Sequence, residues 1–181
     1  MKRFILNCLI SGAAGGLVSH VVASICGRRE SGRSELPMHA VSHILWNDPP
    51  ESHKGRTLHN AVIGSSLHHG ACVFWATFFE ALFGRKAERS TPAALAGGAT
   101  IATAAYITDY HVVSERFKPG FEAYLSNRSL FLVYAGLAVG LAAGARLRGL
   151  CNHQIENHDE REESRKTERG PDAVVAPEAR R

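Results

Sequence analysis

Several catalytic and binding motifs are absent from this sequence of 181 residues. It contains no Gly-rich phosphate loop, no nucleophile elbow and no HExxH zinc motif. Its 4 cysteines include no CxxC pair, and only Cys26 is placed to face an oxidising compartment, so no intrachain disulfide is expected. The formal net charge of +4 comes without a nucleic-acid-binding motif, and nucleic acid is therefore not an expected partner.

Charged residues are rare in four long apolar segments, which cover residues 4–25, 61–83, 92–113 and 129–147. A helix needs roughly 20 mainly apolar residues to cross a bilayer. The segments match that length and lack the polar stripe, with a period of roughly 3.6 residues, that helices of soluble proteins show. The sequence therefore predicts an all-α integral membrane protein, a four-helix bundle formed by residues 1–150. A soluble four-helix bundle with buried, Ala-rich helices is the alternative.

Basic residues indicate how these helices are oriented, because Lys and Arg near helix ends stay on the cytoplasmic side. Alternating spans place three basic groups on one side: Lys2 and Arg3; Arg85, Lys86 and Arg89; and Arg146 and Arg148. We expect this side, with both termini, to be cytoplasmic, although Arg28 and Arg29 on the other side oppose that orientation. The first segment also resembles a signal peptide, and cleavage after Ala23 is an alternative to a first span.

A short helix is expected in the first loop, over residues 37–46. Pro37 suits the first turn of a helix, and His39 and His43 lie one turn apart on the same face. Trp46 is an aromatic residue of the type favoured at the membrane surface. These features predict an interfacial helix on the side of the membrane opposite to the termini.

Residues 151–181 differ from the rest of the chain in being almost wholly polar. A segment of mixed charge with few apolar residues does not bury a core, so we expect a disordered cytoplasmic tail. The start of this tail alternatively extends the fourth helix, which Gly170 and Pro171 would end.

Small residues recur at four-residue spacing in three of the apolar segments. The spacing occurs in Gly12 and Gly16, in Ala93 and Gly97, and in Gly136, Gly140 and Gly144. Small side chains let membrane helices approach closely, so this pattern predicts a tight bundle. The stripe of three glycines in the fourth segment equally allows a homo-oligomer.

Titratable side chains inside the predicted spans form the candidate site, because such residues are costly in a membrane and often functional. They are His20, His68, His69, Asp109 and His111. At about 1.5 Å of rise per residue, alternating spans bring all five into the same, outer half of the bundle. Imidazole and carboxylate groups bind transition metals, and imidazole binds haem iron, so the five are candidate ligands in a metal- or haem-binding membrane protein that serves redox chemistry or metal handling. Adjacent His68 and His69 point about 100° apart, which favours only one of them facing the centre.

The same residues support two further interpretations. The leading one is a non-enzymatic membrane protein whose His/Asp cluster hydrogen-bonds across helices, packing the bundle or organising a partner. Another is proton handling by a histidine beside Asp109, in a proton-coupled small-solute transporter that acts as an oligomer. Glu80 lies about 16 Å from His69 along the same helix and is instead expected to pair with Arg85 or Lys86, or to cap a neighbouring helix.

Three blocks of sequence carry a resemblance to known proteins. They are SHILWND at residues 42–48, LHHGACVFWATFFE at 67–80 and TDYHVVSERFKPGFE at 108–122. In these blocks the chain resembles a group of small multi-span proteins encoded in bacterial genomes, to which no activity is assigned. The resemblance implies a location in the bacterial inner membrane, and it transfers no catalytic residue or cofactor.

Overall fold

The computed structural model describes residues 1–46 and 57–168, and within these ranges it contains helices and no strand. In chain order the helices are α1 (Lys2–Ser31), α2 (Leu36–Val41), α3 (His43–Trp46), α4 (Thr57–Leu82), α5 (Gly84–Arg89), α6 (Thr91–Ile107) and α7 (Asn127–Glu168). A π-helical turn, Thr108–Val112, continues α6, and two short 3-10 turns, Glu115–Phe117 and Phe121–Ala123, precede α7. The all-α fold class is confirmed, and α1, α4, α6 and α7 each contain most of one predicted span.

Local sequence accounts for the ends of the long helices. α1 ends at Gly32, whose φ of 76° lies in the left-handed region that favours glycine. α6 begins after Ser90, whose hydroxyl caps the first turn, and Pro92 occupies that turn. At the start of α7, the Glu30 carboxylate accepts hydrogen bonds from the N–H and the hydroxyl of Ser126 at 2.6 and 2.9 Å. A carboxylate is favourable at a helix N-terminus, and the Glu30 carboxylate links the end of α1 to the start of α7 through these hydrogen bonds.

The first and last long helices pack against each other in opposite directions. Gly136, Gly140 and Gly144 of α7 approach Ser19, Gly15 and Ser11 of α1 in turn. A Cβ at Gly140 would lie 2.6 Å from the Cα of Gly15, so the two backbones meet with no room for a side chain. The predicted glycine stripe is therefore covered by α1 of the same chain, and a homo-oligomer through it would require α1 to move away.

The other two long helices join this pair through small residues as well. Gly12 of α1 lies against Val73 of α4, and Gly98 of α6 lies against the backbone of Ala138 in α7. The buried core consists largely of alanines, and Phe79 is its largest fully buried side chain. Close packing over small residues is how helices associate where burial of apolar surface gives no advantage, as in lipid.

Large apolar side chains face outward along all four long helices. They include Leu9 and Leu17 on α1, Phe74 and Phe78 on α4, Leu95 and Ile107 on α6, and Phe131 and Leu132 on α7. Two helices, α1 and the Asn127–Asn152 part of α7, are long and apolar enough to cross a membrane by length and composition. α6 has only 17 residues, and α4 carries several histidines and Glu80. By this measure the structure supports two membrane-crossing helices and leaves the four-span bundle a prediction.

Two segments outside the predicted spans differ from the sequence-based expectation. The helix expected over residues 37–46 is divided at Ser42 into α2 and α3, and α2 is buried against α4, where Gly64 meets the backbone of Met38. α2 therefore packs into the fold, whereas Leu45 and Trp46 of α3 are exposed, so an interfacial position stays a prediction for α3 alone. α7 continues as one helix to Glu168, so the predicted disordered tail is helical over residues 151–168. The rest of the predicted tail lies outside the described residues.

Candidate functional site

Three of the predicted histidines meet where α1 contacts α4. The ring centroids of His20, His68 and His69 are 5.6 to 6.3 Å apart. His68 Nε2 lies 2.9 Å from the Ser19 hydroxyl of α1, and His69 Nδ1 lies 2.9 Å from a carbonyl oxygen one turn earlier in α4. The His69 ring also fills the space beside Gly16, where a Cβ would come within 2.8 Å of it. Both adjacent histidines therefore serve the contact with α1.

Asp109 enters the interior from the π-helical turn at the end of α6. This turn is wider than an α-helical turn and is closed by an i→i+5 hydrogen bond of 3.0 Å between backbone groups. Asp109 accepts a hydrogen bond of 2.7 Å from the Tyr134 hydroxyl of α7. His111 is exposed instead, and its ring contacts that of Tyr106 at 5.9 Å. The turn thus contributes one of its two predicted ligands to the interior.

Both hydrogen-bonded pairs line one cavity of about 180 Å³ between the long helices, which we call the His68 cavity. Its polar lining residues are Ser19, His68, Cys72, Asp109 and Tyr134. Most of the other lining residues are apolar or aromatic, including Leu67, Trp75, Phe121 and Leu137. Mainly apolar walls with a few converging polar groups are the usual form of a small-molecule site.

The structure brings some of the five predicted metal ligands together and separates the others. His20, His68 and His69 form a cluster of rings, Asp109 shares the His68 cavity, and His111 lies away from both. In the described part of the chain, no three His, Cys, Asp or Glu side chains are placed to hold one metal ion as they stand. The metal site stays a prediction, and the three clustered histidines are its remaining candidate ligands.

A second polar group is buried toward the opposite end of the bundle. Arg148 Nη2 of α7 lies 2.8 and 2.9 Å from the two carboxylate oxygens of Glu80 in α4, and these side chains are 8% and 2% exposed. The Ser11 hydroxyl of α1 donates to Glu80 and accepts from Arg148, both at 2.6 Å. The expected pairing of Glu80 with Arg85 or Lys86 is wrong, because Arg148 reaches into the bundle while those two residues stay exposed on α5.

Sequence reasoning missed the residues that complete both polar groups. Cys72 follows His68 by four residues, a spacing that places both side chains on the same face of a helix. Tyr134 is the one tyrosine of the fourth apolar segment, and its hydroxyl is a polar group inside a predicted span. Each was therefore a weak signal of a residue in the polar cluster. Arg148 has the position of a membrane-edge charge, which concealed its role in the interior. Only the antiparallel packing of α1 and α7, with α4 beside them, brings it to Glu80.

Comparison with known proteins adds no further constraint. No protein-family profile, no curated protein and no solved structure matches this chain. The sequence resemblance to small multi-span bacterial proteins therefore stays a prediction. Function is inferred from the fold, the His68 cavity and the buried ion pair.

Proposed function

We propose that this chain is a non-enzymatic integral membrane protein that crosses the bacterial inner membrane four times, with both termini in the cytoplasm. The distribution of side chains supports this, because large apolar residues face outward on all four long helices while alanine and glycine fill the interior. Extensive exposed apolar surface marks contact with lipid or protein, and small residues at helix contacts are typical of membrane bundles. In addition, residues 4–27, 57–79, 90–108 and 129–145 contain no Asp, Glu, Lys or Arg.

The position of basic residues supports the orientation. Arg3, Arg89 and Arg146 come from three distant parts of the sequence and line one cavity at the end of the bundle where α1 begins. Alternating spans predict this convergence, and the preference of Lys and Arg for the cytoplasmic side assigns this end to the cytoplasm.

Fractionation and reporter fusions test membrane insertion and orientation. We expect the full chain, expressed in bacteria, to stay in the membrane pellet through an alkaline carbonate wash and to need detergent for release. Fusions after Arg89 and at the C-terminus should report the cytoplasm, and a fusion after Lys118 should report the periplasm. Release without detergent, or opposite locations for the Arg89 and C-terminal reporters, would contradict the proposal.

Within this bundle the polar cluster joins the helices around the His68 cavity and holds a small partner molecule there. The observation that carries this role is a pair of hydrogen bonds between helices that line one cavity: Ser19 with His68, and Tyr134 with Asp109. The first bond links α1 to α4 and the second links the π-helical turn after α6 to α7, and each such bond in a membrane is worth roughly 0.6–2 kcal/mol. The mainly apolar walls suit a small apolar molecule that offers one or two hydrogen-bonding groups.

Ligand-induced stabilisation tests the cavity. Purified protein in detergent is heated with indole, phenol or 1-hexanol, and we expect at least one of them to raise the melting temperature. Ala71→Phe, at the cavity wall, should abolish this shift by filling the space. Ala81→Phe is the matched control, because Ala81 is exposed on the same helix, as Ala71 is, but does not line the cavity. No shift in the unmodified protein, or equal shifts in both variants, would contradict the proposal.

Metal binding is a second candidate, favoured by the three imidazole rings whose centroids lie 5.6 to 6.3 Å apart at the α1–α4 contact. Elemental mass spectrometry of the purified protein and a search for a haem Soret band measure it directly. His69→Ala should release the metal if the rings ligate it, whereas lost stability without lost metal indicates packing. Asp109→Ala is the comparison, because Asp109 bonds to Tyr134 outside the ring cluster.

A further inference from the structure

A second cavity lies at the end of the bundle where the chain begins. It has a volume of about 400 Å³ and is formed by the start of α1, the end of α5 and the part of α7 beyond its glycine stripe. Its lining residues are Arg3, Glu88, Arg89, Arg146, Gly149, Leu150 and Asn152. We call it the arginine cavity. Three guanidinium groups from three separate helices thus converge on one space.

Positive charge dominates the arginine cavity. Its one carboxylate belongs to Glu88, whose Oε1 lies 3.5 Å from both Arg148 Nη2 and Asn7 Nδ2 and so already has partners. Arg146 donates a hydrogen bond to the backbone carbonyl oxygen of Glu88, which holds its guanidinium in place. Arg3 and Arg89 are exposed and form no ion pair with another residue of the described ranges. The cavity therefore offers two uncommitted guanidinium groups beside a fixed one.

An apolar surface adjoins these arginines. Leu150 lines the cavity and is 53% exposed, and Leu147, one turn earlier on α7, is 61% exposed. Ile5 and Leu6, two and three residues after Arg3, are exposed on α1. A ligand that contacts both parts must carry an anion at one end and hydrocarbon next to it. Guanidinium groups bind phosphate and carboxylate oxygens through paired hydrogen bonds, and phosphate is the anion that membrane lipids carry next to their hydrocarbon chains.

We propose that the arginine cavity binds the phosphate group of an anionic membrane lipid, with the acyl chains lying over the exposed leucines of α7. This inference rests on the proposed membrane insertion, which puts the cavity at the cytoplasmic leaflet. Basic pockets between membrane helices on that side are suited to anionic lipid head groups. The lipid would bridge α1, α5 and α7 at a point where no carboxylate of the described residues forms an ion pair with Arg3, Arg89 or Arg146.

Native mass spectrometry of the full chain in neutral detergent tests the proposal, with phosphatidylglycerol titrated against phosphatidylcholine. We expect tighter binding of phosphatidylglycerol to the unmodified protein. In the double variant Arg3→Gln/Arg89→Gln this affinity should fall roughly 25-fold, at about fivefold for each guanidinium near an anionic lipid. The matched control is Arg85→Gln/Lys86→Gln, which removes the same charge from exposed residues of α5 outside the cavity. Glycerol 3-phosphate is titrated as the free phosphate compound.

Each outcome decides the question. A loss confined to Arg3→Gln/Arg89→Gln supports a built lipid site. An equal loss in both double variants overturns it in favour of general surface charge, and glycerol 3-phosphate binding as tightly as phosphatidylglycerol overturns the assignment to a lipid. Carbonate-wash fractionation of the same variants keeps the two proposals apart. A chain that washes off the membrane fails the proposed function, whereas one that stays but shows no lipid preference fails this inference alone.

Discussion

Replacing Arg148 with methionine should strongly destabilise the bundle. Met keeps most of the side-chain length and removes the guanidinium, which leaves the Glu80 carboxylate, 2% exposed, with only the Ser11 hydroxyl as donor. Breaking a buried ion pair by removing one partner costs about 3–5 kcal/mol, because the other charge stays buried and uncompensated. Since folded domains are stable by only about 5–15 kcal/mol, this single change should remove a large part of the stability.

A double-mutant cycle separates the pair from its surroundings. The free energy of unfolding is measured in detergent micelles by titration with sodium dodecyl sulfate, with helicity followed by circular dichroism. Glu80→Met/Arg148→Met removes both charges, and its destabilisation should fall short of the sum of the single changes by about 2–4 kcal/mol. Arg85→Met, at an exposed residue of α5, is the control. A cost below about 1 kcal/mol for Arg148→Met, which is typical of surface pairs, would refute the reasoning.

Three further predictions use the same unfolding assay. Gly140→Ala should cost about 1–3 kcal/mol, because its Cβ would lie 2.6 Å from Gly15 Cα, whereas Gly70→Ala, with open space around it, should cost nothing. Tyr134→Phe should cost about 1–3 kcal/mol by leaving the Asp109 carboxylate without its donor, and an unchanged unfolding curve would contradict that hydrogen bond. Glu30→Gln should cost about 0.5–1 kcal/mol and fray the start of α7, detected as faster amide hydrogen exchange at residues 127–130.

The long helices could be predicted because their sequence signals are local. The four segments poor in charge each correspond to one long helix, and Ser90 with Pro92 marks the start of α6. The short helix α5 was not predicted, since residues 84–91 are rich in basic residues and resemble a loop. The burial of α2 was also missed, because it depends on Gly64 of a different helix making room for the backbone of Met38.

The candidate site was predicted only in part. Helix geometry explains why the histidine cluster could be predicted and the positions of Asp109 and His111 could not. Alternating long helices suffice to bring His20 to the level of His68 and His69, and the structure has these rings in contact. Whether Asp109 or His111 faces the interior depends on the π-helical turn, and one additional residue in a turn rotates every later side chain. No periodicity in the sequence reveals such a turn, so both residues were equally eligible as ligands.

The pairing of α1 with α7 has a consequence for how the protein is made. The face of α1 that contains Ser11, Gly15 and Ser19 has no partner until α7 is synthesised, and at about 5–20 residues per second that interval is on the order of ten seconds. During it, Ser11 and Ser19 of the first helix have no α7 to cover them. Chains cut short before residue 127 would keep this face bare, and we expect quality-control proteases to degrade them faster than the chain of 181 residues.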